Sequence, residues 1–334
     1  MNVEFSTSLT RPTEQMTLHV SAATDVGCVR QVNEDSFYAL APVFFVADGM
    51  GGHQYGDRAS QAVAQTFAED ATGEDVTDPD AVLTTIGRAN RIVQGLVSEE
   101  DGPGAVAGTT LSGIALVDLE REEGDGEDAP EGLHWMIFNI GDSRVYGWNG
   151  RSLEQITTDH SAVQEMVKMG LISSEEALVH PDRNVITRAV GSEDRVDADV
   201  WFMPTRGRQV FLICSDGLGK ELDDLQLARL IRQYAADPDS EVSLAEMLVQ
   251  TAVERGGRDN ISVVMVDSVY RTADGAPAKD DDDTATLATV LDEEQHEAQE
   301  AAAASSGWVL ADEEPALDQG AAAAEDGRAP GDDG

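Results

Sequence analysis

Val43-Phe44-Phe45-Val46-Ala47-Asp48-Gly49-Met50-Gly51-Gly52-His53 decides how this chain is read. An apolar run bounded by turn formers has the composition of a buried strand. The strand stops at a carboxylate. The glycines after it let backbone approach a ligand closely, because no Cβ intervenes. A fixed carboxylate beside open carbonyls suits a hard cation; an Asp-Gly hairpin turn has the same local signature. Recurrence weighs against the bare turn. Phe211-Leu212-Ile213-Cys214-Ser215-Asp216-Gly217 is a second apolar run ending in Asp-Gly. Gly256-Gly257-Arg258-Asp259-Asn260 leads straight into Ile261-Ser262-Val263-Val264-Met265-Val266. Three aspartates at strand edges, far apart in the chain, are candidates to converge on one metal site.

The chain around these strands has 334 residues, enough for one large domain or two smaller ones. Its formal net charge of -42, from 64 acidic and 22 basic residues, argues against nucleic acid and anionic membranes as partners. The lysines are Lys168, Lys220 and Lys279; the other 19 cations are arginines. Such acidity with so little lysine fits a cytoplasm of high salt or a GC-rich genome. Cys28 and Cys214 form no CxxC motif and read as small buried side chains in a reducing cytosol. No apolar stretch is long enough to cross a bilayer, and the N-terminus lacks the pattern of a signal peptide. A cytoplasmic, monomeric protein is expected.

Residues 1–17 read as a flexible N-terminus, and Leu18 to Ala23 as the start of a strand. In the polar segment that follows, Arg30 and the pair Glu34-Asp35 stand out. After the Asp48 loop, Ala59, Ala62, Val63 and Phe67 repeat at helical spacing. A second helix from Pro79 to Val97 carries Val82, Ile86, Ala89, Val93 and Leu96 on one side, with Asp78 and Pro79 at its start. Both are expected on one face of a sheet. Strands over Ala107–Val117 and Leu133–Ile140 enclose an acidic hairpin tip, and Asp142 stands where the second strand breaks. Residues 157–191 form a candidate flap, with Ser161/Gln164 and Ser173/Glu176 as helix caps. Helices follow near Leu222–Ala236 and Leu244–Arg255. Residues 271–334 hold 18 acidic and 3 basic side chains, so -15 of the charge lies there and -27 in residues 1–270. They read as a disordered acidic tail.

Over residues 18–270 the chain resembles the metal-dependent type 2C (PPM) serine/threonine protein phosphatases in their bacterial form. The resemblance rests on an ordered series: Asp25-Val26-Gly27 through Arg30 to Asn33-Glu34-Asp35; Asp48-Gly49-Met50-Gly51-Gly52-His53; Gly108-Thr109-Thr110; Gly141-Asp142-Ser143-Arg144; Thr158-Asp159-His160-Ser161; Asn184-Val185-Ile186-Thr187-Arg188; Ser215-Asp216-Gly217; and Asp259-Asn260. It implies an α+β fold, a four-layer αββα sandwich of two antiparallel sheets flanked by helices. It implies hydrolysis of phosphoserine and phosphothreonine by a hydroxide bridging two metal ions. The substrates would be phosphorylated proteins, among them a serine/threonine kinase and its targets.

The resemblance also implies roles. Asp48 bridges two Mg²⁺ or Mn²⁺ ions, and the Gly49 carbonyl joins one of them. Asp216 and Asp259 hold the first ion. Glu34 reaches the second with Asp35 in support, and Asp142 matches a third, weaker position. Arg30 matches the phosphate-binding arginine. Two cations offset the repulsion between a phosphate dianion and its nucleophile, and an arginine fork can bind two phosphate oxygens. Where some members carry a histidine directly after the Asp-Gly pair, this chain has Met50, which has no proton to donate. The leaving-group acid stays open between a metal-bound water and His160, for which a structural role in the flap is the alternative. A catalytically dead binding module and an acidic scaffold are the rival classes; metal-dependent hydrolysis of a small phosphate ester separates them from the enzyme.

Overall fold

In the computed structural model the described residues are 1–12, 14–51, 55–71, 73–98, 105–120, 131–237 and 240–272. The acidic tail, His53 and the tip of the hairpin over 121–130 lie outside them.

One sheet runs in the order β1 (Asn2–Thr10), β2 (Glu14–Asp25), β12 (Ile261–Thr272), β11 (Arg208–Cys214), β8 (Arg144–Trp148), β9 (Leu153–Gln155). The other runs β10 (Asp199–Pro204), β7 (Gly132–Ile140), β6 (Leu111–Leu119), β4 (Val43–Met50), β3 (Asp35–Leu40), and short β5 (Gly108–Thr109) pairs with β4. Every pairing between these strands is antiparallel. Helices α1 (Gly56–Asp70) and α2 (Pro79–Gln94) cover the second sheet; α5 (Asp216–Glu221), α6 (Asp224–Ala235) and α7 (Leu244–Arg255) cover the first. The order of layers is αββα.

The central strands carry long apolar runs because both of their faces are buried. On β4, Phe44 and Val46 face the opposite sheet, while Val43, Phe45 and Ala47 face α1 and α2. On β11, Phe211 and Ile213 point between the sheets; Val210, Leu212 and Cys214 point to α5–α7. The two-residue period of a strand produces this division. Trp135 of β7 meets Phe211 of β11 edge-on across the interface, ring centroids 5.4 Å apart.

Three details correct the sequence reading. Residues 2–10 are not a flexible N-terminus but an edge strand paired with β2 along its length. Val3, Phe5 and Leu9 alternate inward and pack on the inter-sheet core; polar residues between them hide the pattern. The helix read near Leu222–Ala236 is α6, starting in a capping box of Asp223 and Gln226, but a short helix absent from the sequence reading, α5, precedes it from Asp216. The helix from Pro79 stops at Gln94, with Gly95 as its C-cap. Within residues 157–191, α3 (Ala162–Lys168) and α4 (Ser174–Ala177) start at Ser161 and Ser173 as their spacing predicts. Isolated bridges Ser161↔Ile186 and Thr109↔Val190 tie this segment to the body.

Candidate active site

The site is assembled where strands of both sheets end. Asp48 stands near the end of β4, directly opposite Asp35 of β3. The Asp48 carbonyl accepts the Thr110 N–H at 2.9 Å and the Thr109 hydroxyl at 3.0 Å, and its own N–H donates to Thr110 Oγ1 at 2.9 Å. Thr110 Oγ1 in turn lies 2.7 Å from Ser143 Oγ, next to Asp142. This chain of bonds joins the Asp48 and Asp142 loops. Gly49 is confined as well: a Cβ there would stand 2.0 Å from the Gly56 carbonyl oxygen and 2.6 Å from that of Glu34. Only glycine brings its backbone so close.

The opposite sheet supplies Asp216 and Asp259. Asp216 opens α5 immediately after β11, and Asp259 lies in the turn before β12. Asp259 accepts from Arg30 Nε at 2.7 Å and from Lys220 Nζ at 2.6 Å; Lys220 Nζ is also 2.5 Å from Asp216 Oδ2. Burial works against the Asp259 charge, but Lys220, the Asn260 N–H and Arg30 hold its carboxyl below the usual range. Glu34 faces the same guanidinium, 3.7 Å from Arg30 Nη1. Arg30 remains half-exposed at the rim. Asp35 is buried behind, accepting the Ser215 hydroxyl at 2.7 Å, a bond that ties one sheet to the other.

Asn260 holds the segment bearing Arg30 and Glu34. Its Oδ1 accepts the Glu34 N–H at 2.9 Å, and its Nδ2 donates to the carbonyls of Val26 and Val32, each at 3.0 Å. His160 does the same for the Asp142 turn. Its Nδ1 accepts the Gly141 N–H at 3.0 Å, while its own N–H donates to the Gly141 carbonyl at 2.9 Å. The other ring nitrogen lies 3.1 Å from Asp199 Oδ2. A cavity of about 250 Å³ opens beside this pair, lined by Asp159, Lys168 and Arg188 among others; it is separate from the carboxylate cluster.

The electrostatics are those of crowded acids. Burial, then the charges of Asp35, Asp216 and Asp142, push the Asp48 carboxyl well above its usual range, and Lys220 draws it partly back. Burial likewise pushes Asp35 and Asp142 up to about 7. Buried charges persist only when paired or bound to metal. Asp35 Oδ1, Asp142 Oδ1 and Asp216 Oδ1 are buried with no hydrogen-bond partner. Among the described residues no three His, Cys, Asp or Glu side chains already form a closed metal cage, and Lys220 stands between two of the acids. Partnerless carboxylate oxygens, all hard donors, nonetheless fit Mg²⁺ or Mn²⁺.

No protein-family profile matches the chain. The serine/threonine phosphatase stp of Listeria monocytogenes is 33% identical over 265 residues, covering 75% of this chain and 96% of the relative. The chain belongs to the bacterial PPM-type serine/threonine protein phosphatases. Solved structures agree. The PPM Ser-Thr phosphatase MsPP from Mycobacterium smegmatis, in complex with cacodylate, superposes with a TM-score of 0.60 at 35% identity, covering 74% of this chain and 97% of MsPP. The catalytic domain of the phosphatase PstP, in complex with two manganese ions, gives 0.62 at 32% identity, covering 76% and 99%. The α+β sandwich and the phosphatase activity read from the motif series are thus those of the family.

Within this PPM phosphatase, Arg30, Glu34, Asp35, Asp48, Gly49, Asp142, Asp216 and Asp259 all gather at one edge of the sandwich. Sequence reading assigned no role to Lys220, Asn260, Ser215 or Thr110. Lys220 follows Asp216 by four residues, which puts both on one face of a helix; that spacing was the available signal. The hydroxyls and the amide stand inside the motif series, but their bonding partners, remote in sequence, were not readable from it.

Proposed function

We propose that this phosphatase hydrolyses phosphoserine and phosphothreonine in proteins at the cluster of Asp48, Asp142, Asp216 and Asp259. The observation that carries the reading is this convergence of acids from separate loops, with buried oxygens lacking partners. Asp48 at the centre, Asp216 with Asp259, and Glu34 with the Gly49 carbonyl are the groups that would hold two Mg²⁺ or Mn²⁺ ions, with Asp142 at a third. When bound, the ions supply Lewis-acid charge and an activated water nucleophile. Asp35 fixes the floor through Ser215. Arg30, half-exposed and bound to carboxylates at the rim, exchanges them for phosphate oxygens. Met50 has no proton to offer, and His160 has Nδ1 committed to Gly141 and Nε2 facing Asp199. His160 therefore positions the Asp142 turn and does not serve as the leaving-group acid.

Phosphoproteins under the control of a serine/threonine kinase are the substrates this reading implies, and residues 157–191 would contact them as a flap. Cys28 and Cys214 are unpaired, which suits the cytoplasm. Among the described residues no helix is long and apolar enough to cross a membrane.

Metal titration by calorimetry beside kinetics on a phosphopeptide tests the roles. Exhaustive chelation should abolish turnover and Mn²⁺ should restore it. Asp48→Asn should weaken both tight ions and lower kcat by orders of magnitude. Arg30→Ala should leave the metals bound and lower kcat/KM roughly ten- to a hundred-fold, the worth of a hydrogen bond to a charged group. Loss of metal in Arg30→Ala, or near-normal kcat in Asp48→Asn, contradicts the assignment.

A further inference from the structure

Lys220 is drawn into the cluster from α5, the helix that Asp216 opens. Its Nζ stands 2.5 Å from Asp216 Oδ2 and 2.6 Å from Asp259 Oδ2. The side chain is mostly buried, and its ammonium meets both carboxylates at ion-pair distance. A divalent ion held by Asp216 and Asp259 would need the same lone pairs, which the ammonium already occupies. A lysine stem is flexible enough to leave.

We propose that Lys220 is a tethered counter-cation for Asp216 and Asp259, one that holds the metal-free site together and swings aside when a divalent ion binds there. The inference rests on the reading of Asp216 and Asp259 as ion ligands. Its consequence is selective. The ion at this position binds against a built-in competitor, and removing the competitor tightens that ion while loosening the metal-free protein. Lys220 thereby sets the divalent-ion concentration at which the enzyme becomes active.

Two measurements on the full chain decide it. In Mn²⁺ calorimetry, Lys220→Met should tighten one class of site roughly ten-fold or more, the scale of a lost charge-assisted contact. Its chelated form should melt below the chelated wild type. Unchanged or weaker Mn²⁺ affinity in Lys220→Met overturns the proposal. The second measurement uses wild-type protein only and so survives a variant that fails to fold. An amine-reactive ester read by mass spectrometry should label Lys220 slowly in chelated protein and several-fold faster with Mn²⁺. Lys168, exposed on α3, serves as the internal reference. Equal labelling of Lys220 in both states overturns the proposal. Asp259→Asn separates the two levels. If it leaves Mn²⁺ binding intact, the ligand reading fails. If it weakens Mn²⁺ binding while Lys220→Met tightens nothing, only the counter-cation fails.

Discussion

Asn260 and His160 act at the scale of one side chain. Neither is a carboxylate, yet each pins a loop that carries one. Asn260 uses both ends of its amide on the segment from Val26 to Glu34, and His160 brackets Gly141 from both sides. Asp199 faces the other edge of the His160 ring and accepts from Arg188 Nη1 at 2.5 Å. Burial works against the Asp199 charge, but His160 and Arg188 hold its carboxyl down to about 2. A folded-state value below the unfolded value near 3.9 stabilises the fold above that pH and is lost as pH falls through about 2. Asp199→Asn should therefore cost roughly 2 kcal/mol near neutrality. Denaturant titrations of both proteins should show that difference shrinking between pH 4 and pH 2. A difference that stays constant over that range contradicts the pairing.

Among the elements, α2 was legible almost whole. Asp78 accepts the N–H groups of Asp80 at 2.7 Å and Ala81 at 3.2 Å, Pro79 occupies the first turn, and Val82, Ile86, Ala89 and Val93 pack on the sheet. Asp78→Ala removes the acceptor for two free N–H groups at the helix start. It should cost about 1 kcal/mol and lower Tm by roughly 2–4 °C, with metal affinity unchanged; an unaltered melting curve would show that the cap contributes nothing. Strand β1 is the opposite case. Its alternation of Val3, Phe5 and Leu9 is present in the sequence, but Glu4, Ser6, Thr7 and Ser8 fill the positions between. Only the partner strand β2 makes that segment a strand, because an isolated strand has no ladder to satisfy its backbone.

Over the whole molecule, charge and layering set the behaviour. Two sheets share one apolar interface, while the surface carries most of a net charge of -42, of which -27 belongs to residues 1–270. Like charges repel within the compact state, and counterions screen them. Thermal stability should rise from low to moderate KCl in protein ending at Tyr270 as well as in the full chain. A Tm that falls over that interval would show attractive surface pairs outweighing the repulsion. The ion pairs of Arg88 with Glu69 and Asp70, and of Arg208 with Asp267, lie at the surface, where such pairs contribute little.

What the sequence by itself determined is local or strictly ordered. Apolar runs too continuous for a half-exposed strand marked β4, β11 and β12, and Asp-Gly or Asp-Asn at their ends marked where acids meet backbone. The order of those motifs specified the family. What only the tertiary structure decided is how those ends face one another. Ser215 bonds Asp35 across 180 residues of chain, Asn260 reaches back to Val26 and Val32, and Lys220 closes between Asp216 and Asp259. Hydrophobic periodicity reports which face of a strand is buried. It carries no information on register between remote segments, and a hydrogen bond or ion pair exists only within a few ångströms. The packing of the two sheets sets those distances, and with them which cation the acids hold before a metal arrives.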